Sequence, residues 1–389
     1  MKMKIGIDVR VLQSESGSRG IGVYTRNLIL SLLQIDRENE YIFFAFSQIG
    51  FKDLPDEMRR RAVLLKRPAK NIIFWDQLLW YPALKKWEID LFHTPFYAAP
   101  VLVPSGVAVV QTVHDLIPVI FKRSTSRKNR LVFRTNFSLL RFVDRIIAVS
   151  SNTKADIIRI LGIPGEKIEV IHNGVDHLPV GEQHRAAGQM EVSMTGVPFP
   201  AGRPDVAKPY LLYVGGLNPL KNVPVLLQAF DKISRKYANL GLVIVGADSD
   251  RLDSIVNRDF QKLIRSGRIV LKGYLENDDL VAHYRNAELF IFPSLYEGFG
   301  IPPLEAMRCG LPVIASSRAS IPEILGDAAA YVNPEKPDEL VAKIETLLQD
   351  EGLRIGMREA GLKRAAQFSW REAAQKTLAL YRMIHEKKA

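Results

Sequence analysis

Short apolar runs alternate with helix-period stretches along nearly the whole chain, and few folds accept that pattern. Strands are predicted at 4–9, 41–46, 89–93, 107–113, 144–149 and 167–172, and helices at 21–35, 74–86, 127–142 and 152–161. The alternation continues with strands at 210–214, 242–246, 268–272, 288–292, 311–315 and 328–332, and helices at 222–236, 252–266, 277–286, 302–309 and 337–350. Apolar runs separated by helices indicate parallel sheets with crossover connections, an α/β fold. A chain of 389 residues suits two such domains. Between the halves, Leu178 to Pro209 is rich in Gly, Pro, Ala and Gln and has no period. It reads as a linker or long insertion. The expected division is therefore 1–177, a linker over 178–207, 208–368, and a last helix within 369–389. In doubly wound domains, ligands bind in crevices outside the strand C-termini.

Composition narrows the class further. Hydrophobic residues make up 47% and charged residues 24%, which is ample for two cores. No apolar run reaches the roughly 18 residues needed to span a bilayer. The start, MKMKIGIDVRV, runs straight into a strand pattern, with no apolar leader or cleavage site. The lone cysteine, Cys309, cannot form an internal disulfide and is expected to pack. A cytoplasmic protein is expected. The net charge of +11 is concentrated: eight Lys or Arg lie between Lys122 and Arg145 against one acid, Asp144. Phe121, Leu131, Phe133, Phe137 and Phe142 are interleaved with them. Arg123, Arg127, Lys128, Arg130 and Arg134 thus mark a candidate acceptor or membrane surface. A solvated helix face is the plain alternative. No groove-reading motif supports nucleic-acid binding. A second basic cluster runs through Arg59, Arg60, Arg61, Lys66, Arg67 and Lys70.

Residues 293–310, PSLYEGFGIPPLEAMRCG, carry the sharpest chemical signal. Glu297 and Glu305 flank a glycine-rich turn that opens a short helix ending at Gly310. Pro302 and Pro303 suit a first helical turn, where their missing N–H groups would be orphaned anyway. Gly298 and Gly300 let backbone approach a ligand closely. Turn amides and the positive helix end then favour an anion such as a diphosphate. Carboxylates repel phosphate, so the two glutamates should serve hydroxyl-bearing parts of the ligand. A nucleoside diphosphate sugar has that pattern.

This string is similar to the E-x7-E signature of the retaining glycosyltransferases of family 4, which adopt the GT-B fold. The resemblance covers Glu-Gly-Phe-Gly, the Pro-x-Leu-Glu-Ala-Met helix and the Gly-x-Pro-Val that follows. It implies two Rossmann-like domains facing across a cleft, with the helix Trp370 to Lys388 crossing back to the N-terminal domain. Within the family, the Gly-Ile-Gly turn, the His-Asp-Leu-Ile-Pro stretch and Ile-Pro-Glu-Ile at 321–324 look most like bacterial lipopolysaccharide and O-antigen mannosyltransferases.

Other loops fall where a donor site needs them. Gly20 and Gly22 open the first helix in a Gly-Ile-Gly-x-Tyr turn like the family's, and are read as donor-binding. His114-Asp115 ends a predicted strand, where His114 can hydrogen-bond a sugar hydroxyl; a helix-capping pair is the alternative. His93 has a similar address and a weaker case, and His172 is expected to pack. Lys221, in GGLNPLKN, can neutralise a departing diphosphate. Relatives usually add an arginine there, whereas this chain has Gly216 and Leu220, leaving Lys221 alone or with Arg19 as substitute. Gly273-Tyr274-Leu275 resembles the turn whose backbone meets the nucleotide base. Asn173-Gly174-Val175-Asp176 is read as a turn needing positive φ at its glycine. Asp248-Ser249-Asp250 supplies too few ligands to argue a metal by itself.

The reading is a retaining, metal-independent hexosyltransferase, with no cofactor and GDP-mannose as the first-choice donor, glucose second. Glu297, His114 and Lys221 form the catalytic set. Gly20, Gly22, Gly216, Lys221, Tyr274, Leu275, Gly298, Phe299, Gly300 and Glu305 bind the donor. The acceptor is a lipid-linked or oligosaccharide sugar, with peripheral attachment to an anionic membrane. A GT-B sugar-nucleotide epimerase and a non-catalytic anion-binding protein stay open as alternatives.

Overall fold

The computed structural model describes residues 2–13, 20–47, 56–65, 72–96, 100–121, 127–180, 209–246 and 258–388. The chain divides into two compact units, Met1–Gly174 with Ser369–Ala389, and Val175–Phe368.

In the first unit, β1 (Lys4–Asp8), β2 (Glu40–Ala45), β3 (Ala62–Leu64), β4 (Leu91–Thr94), β5 (Ala108–Val113), β6 (Arg145–Ala148) and β7 (Ile168–Val170) form one sheet. Its order is β3-β2-β1-β4-β5-β6-β7, and every pairing is parallel. All residues of β4 and β5 are buried, as strands covered on both faces must be. The helix Ser151–Leu161 shows local determinants clearly. Ser150 accepts from the Thr153 amide at its start, and Gly162 closes it at φ 64°. The C-terminal helix Trp370–Lys388 packs along the helix Gly20–Ile35. Its Lys388 reaches Val107 O at 2.9 Å and Asp144 at 3.0 Å, which ties its last turn to β5 and β6. The return of this helix to the first unit agrees with what the family resemblance implied.

The second unit holds β8 (Tyr210–Val214), β9 (Gly241–Val245), β10 (Ile269–Lys272), β11 (Leu289–Phe292), β12 (Val313–Ser316) and β13 (Ala330–Val332). They run parallel in the order β10-β9-β8-β11-β12-β13. The helix Val223–Lys236 buries Val223, Leu226, Leu227, Phe230 and Ile233, a one-face stripe at helical spacing. Those side chains meet Leu211, Tyr213, Leu242 and Ile244 of the sheet and Leu340 and Ile344 of the helix Pro337–Gln349. Each such aliphatic burial stabilises by about 1.5–3 kcal/mol.

Both sheets reverse strand order once, between β1 and β4 and between β8 and β11. Those are the topological switch points of doubly wound sheets.

Some elements were not expected. The helix Asp56–Arg60, β3, and the short helices Ile117–Ile120 and Ile321–Leu325 are too brief to show a period. The helix Glu351–Ala365 is longer, but Gly352, Gly356 and Gly361 hide it from propensity. Its Asp350 cap and the packing of Gly361 on Met307 compensate. The helix expected over 127–142 ends at Leu139 and passes into the 3-10 turn Leu140–Phe142. The second unit begins at Val175, ahead of the expected boundary at 177. The segment 181–208, Arg19, Arg123, Lys66, Arg67, Lys70 and Asp248-Ser249-Asp250 lie outside the described residues, and the helix expected at 252–266 is described from Arg258.

Candidate active site

Because β8 and β11 are neighbours at a switch point, the segments leaving their C-terminal ends run side by side. Two bonds stitch them. The Leu295 amide donates to Leu220 O at 2.7 Å, and Asn222 Nδ2 donates to Pro293 O at 3.1 Å. Lys221 is thereby held against Glu297, with Nζ at 2.7 Å from Oε1 and 2.9 Å from Oε2. Their side chains are only 23% and 12% exposed, so solvent screens the pair weakly. An ammonium has three donors, and Glu297 takes two.

The turn after Glu297 is pinned from below. Ser320 Oγ donates to the carbonyls of Glu297 at 2.9 Å and Phe299 at 3.1 Å. Gly300 sits at φ 101°, ψ 63°, and a Cβ there would fall 2.8 Å from Ile321 Cδ1. The left-handed φ calls for glycine, and a Cβ would also displace the Ile321 methyl. The helix Ile301–Arg308 follows at once with proline in its first turn, so Gly298, Phe299 and Gly300 stand at its positive end.

Gly216 lies in the loop leaving β8, where its carbonyl accepts from Tyr213 OH at 2.9 Å. Burial, then the Glu297 charge, pushes the Tyr213 phenol well up, so it remains a donor. A Cβ on Gly216 would meet nothing within 4 Å. A side chain can therefore leave the backbone at Gly216 without a clash at its first atom.

Glu305 is 6% exposed, and both its oxygens are engaged. Tyr284 OH donates to Oε2 at 2.9 Å, and His177 Nε2 lies 3.0 Å from Oε1. Sequence reasoning missed both partners. His177 directly follows Asn173-Gly174-Val175-Asp176, which held attention as a turn. That turn also corrects an expectation. Gly174 is not among the positive-φ residues, and a Cβ on it would fall 2.2 Å from the Trp370 amide nitrogen. Close backbone approach, not a left-handed φ, requires the glycine.

Tyr274 follows β10, two strands out from β8, and is 62% exposed; Leu275 is half-buried. Gly20 and Gly22 occupy the first turn of their helix in the first unit.

Also in the first unit, His114 follows β5 and is half-buried, with Nε2 3.0 Å from Pro95 O. A carbonyl only accepts, so Nε2 carries the hydrogen and Nδ1 presents a lone pair. Burial pushes the imidazole down to about 4, which keeps it neutral. Tyr24 lies edge-on, ring centroids 4.7 Å apart. Asp115 accepts from the Ile117 amide at 2.9 Å and so takes the capping role. His93 departs from its expected role: it is fully buried, with Nδ1 on Tyr381 OH and Nε2 2.8 Å from Thr112 Oγ1. Both nitrogens are spent inside the core, so no sugar reaches it. The side chains of Arg127, Lys128 and Arg130 are not described, but their helix Arg127–Leu139 exposes Arg134 and Leu131.

Two parallel switch-point sheets, with a Lys–Glu pair at a helix N-terminus of the second, agree with the GT-B fold expected from the sequence. The fold matches Anabaena HepE, solved in complex with UDP and glucose, at a TM-score of 0.69 and 20% identity over 97% of this chain and 99% of that one. Residues 18–177 match the model Glycosyltransferase Family 4, and residues 199–364 match Glycosyl transferases group 1. The chain belongs to the family 4 glycosyltransferases. It is 28% identical to O-antigen chain mannosyltransferase B of Escherichia coli over 84% of this chain and 82% of that protein. It is 26% identical to the serotype-specific mannosyltransferase WbdA of Escherichia coli, over 96% of this chain but 47% of that protein's length.

Proposed function

We propose that this glycosyltransferase moves a hexosyl group, mannosyl in the first instance, from a nucleotide diphosphate sugar such as GDP-mannose to a sugar acceptor of bacterial surface polysaccharide. The anomeric configuration is retained and no metal ion is used. One observation carries the reading: Lys221 and Glu297 are paired at 2.7 Å beside the glycine turn that starts the helix Ile301–Arg308. Lys221 and the turn amides stabilise the diphosphate as it leaves, where charge builds. Glu297 holds hydroxyls of the donor sugar, and Glu305 those of the ribose. In the first unit, the Nδ1 lone pair of His114 accepts from a sugar hydroxyl. The mannosyltransferases to which the chain is similar support the choice of mannose.

The acceptor is lipid-linked in this reading. Leu131 and Phe142 are 69% and 62% exposed, close in sequence to the exposed cations Arg134 and Arg141, a combination suited to an anionic bilayer surface.

Thermal unfolding with GDP, UDP, ADP or dTDP, in EDTA at fixed salt, tests the reading. A nucleotide at a hundred times its Kd adds about 2.7 kcal/mol. One nucleotide should raise the melting temperature, and the matching nucleotide sugar should then turn over with EDTA present. The one-bond C1–H1 coupling of the product's anomeric centre reads retention. No shift with any nucleotide, or activity abolished by EDTA, refutes it.

A further inference from the structure

We propose that His177 and Tyr284 are positioning residues that set how Glu305 reads the ribose of the donor, a role that rests on the glycosyl-transfer reading above. Glu305 is buried on the helix Ile301–Arg308 and is clamped from two other segments of the chain. Tyr284, fully buried on the helix Asn277–Asn286, donates to Oε2 at 2.9 Å. His177, just past the start of the second unit, faces Oε1 at 3.0 Å and is almost as buried as the glutamate. A carboxylate accepts, so His177 Nε2 carries its hydrogen. Burial and the adjacent carboxylate push the Tyr284 phenol well up, and it donates throughout the working range.

Each carboxylate oxygen offers two lone pairs. The clamp fixes one on each oxygen and leaves one on each, a pair of acceptors matched to the two hydroxyls of a ribose diol. Held by donors on both sides, the carboxylate cannot rotate away from that alignment. Losing one donor frees it to turn, and the alignment toward the diol is lost while the diphosphate contacts remain. A pair serving only to satisfy a buried glutamate would not affect how the protein tells ribose from its deoxy analogue.

The test is calorimetric titration of the full chain with GDP and 2′,3′-dideoxy-GDP, and with the corresponding uridine pair. A hydrogen bond to a charged group corresponds to about ten- to a hundredfold in affinity, the preference expected for the ribo form. Tyr284→Phe, which keeps the ring, and His177→Leu should bring that preference to within about threefold while leaving dideoxynucleotide affinity unchanged. His177→Gln, which keeps an N–H donor, should retain most of the preference. In turnover, the donor KM should rise with kcat preserved. Folded Tyr284→Phe and His177→Leu variants with the parent's preference overturn the inference. So does a parent protein that binds both nucleotide forms equally, an outcome that leaves glycosyl transfer standing. A parent that binds no nucleotide overturns both.

Discussion

Replacing Lys221 by Met is the most direct test of the switch-point site. Methionine keeps an apolar stem near the Phe292 ring, over which Nζ now lies 5.6 Å from the centroid, and removes only the charge. At the observed 2.7 Å, and with an effective dielectric of about 20, the attraction to Glu297 is roughly 6 kcal/mol. Desolvation of the two ions offsets most of it, and the loss from stranding a mostly buried carboxylate comes to about 2 kcal/mol. For a domain of this size that lowers the unfolding temperature of the second unit by about 4–8 °C. The catalytic effect should be larger and separable. Removing one donor from a site that stabilises developing charge costs about a hundred- to a thousandfold in kcat. Steady-state kinetics with saturating acceptor would show kcat falling with little change in donor KM, and Lys221→Arg should recover a large part. A Lys221→Met enzyme with normal kcat and a raised donor KM refutes the reasoning, because Lys221 would then bind ground state and transition state alike.

Gly300→Ala forces a side chain into a left-handed φ and against Ile321, so it should destabilise the second unit by about 2–3 kcal/mol. Unchanged thermal unfolding would refute the requirement for glycine. Gly216→Arg should fit without strain and place a second cation in the loop that carries Lys221, tightening nucleoside diphosphate binding severalfold; equal or weaker binding contradicts that. His93 is held down to about 3 by burial first and by the His114 charge second, and His114 itself to about 4. Both stay neutral when folded but protonate near 6.5 when unfolded, so between those values the unfolded chain binds more protons. The first unit should keep its full stability above about pH 6.5 and lose about 1.4 kcal/mol per pH unit per histidine on acidification. Denaturant unfolding at pH 7 and pH 5 checks this, and equal stability at both argues against it.

Strand and helix positions were legible in the sequence because a parallel sheet buried on both faces needs continuous apolar runs. VAVVQTV and LVIVGA could satisfy little else. The anion turn was legible for a related reason. The left-handed φ at Gly300 and the first helical turn holding Pro302 and Pro303 are backbone requirements, and backbone requirements leave residue types fixed at fixed spacing. Where glycine served close packing instead, the pattern misled. Gly174 looked like a left-handed turn but makes room for Trp370, and the three glycines of Glu351–Ala365 concealed a helix that Asp350 and Met307 support.

Tertiary structure alone decided which side chains meet. His93 and His114 share an address at the ends of adjacent strands, yet one is held through both nitrogens by Tyr381 and Thr112 while the other places Nε2 on Pro95 O. Lys221 and Glu297 meet because β8 and β11 are neighbours, although 76 residues separate them in sequence. His177 and Tyr284 converge on Glu305 from segments with no shared motif. Local pattern encodes what each short segment must do with its own backbone and apolar face. Which side chains become partners depends on strand order, a property of the whole sheet that no short segment contains.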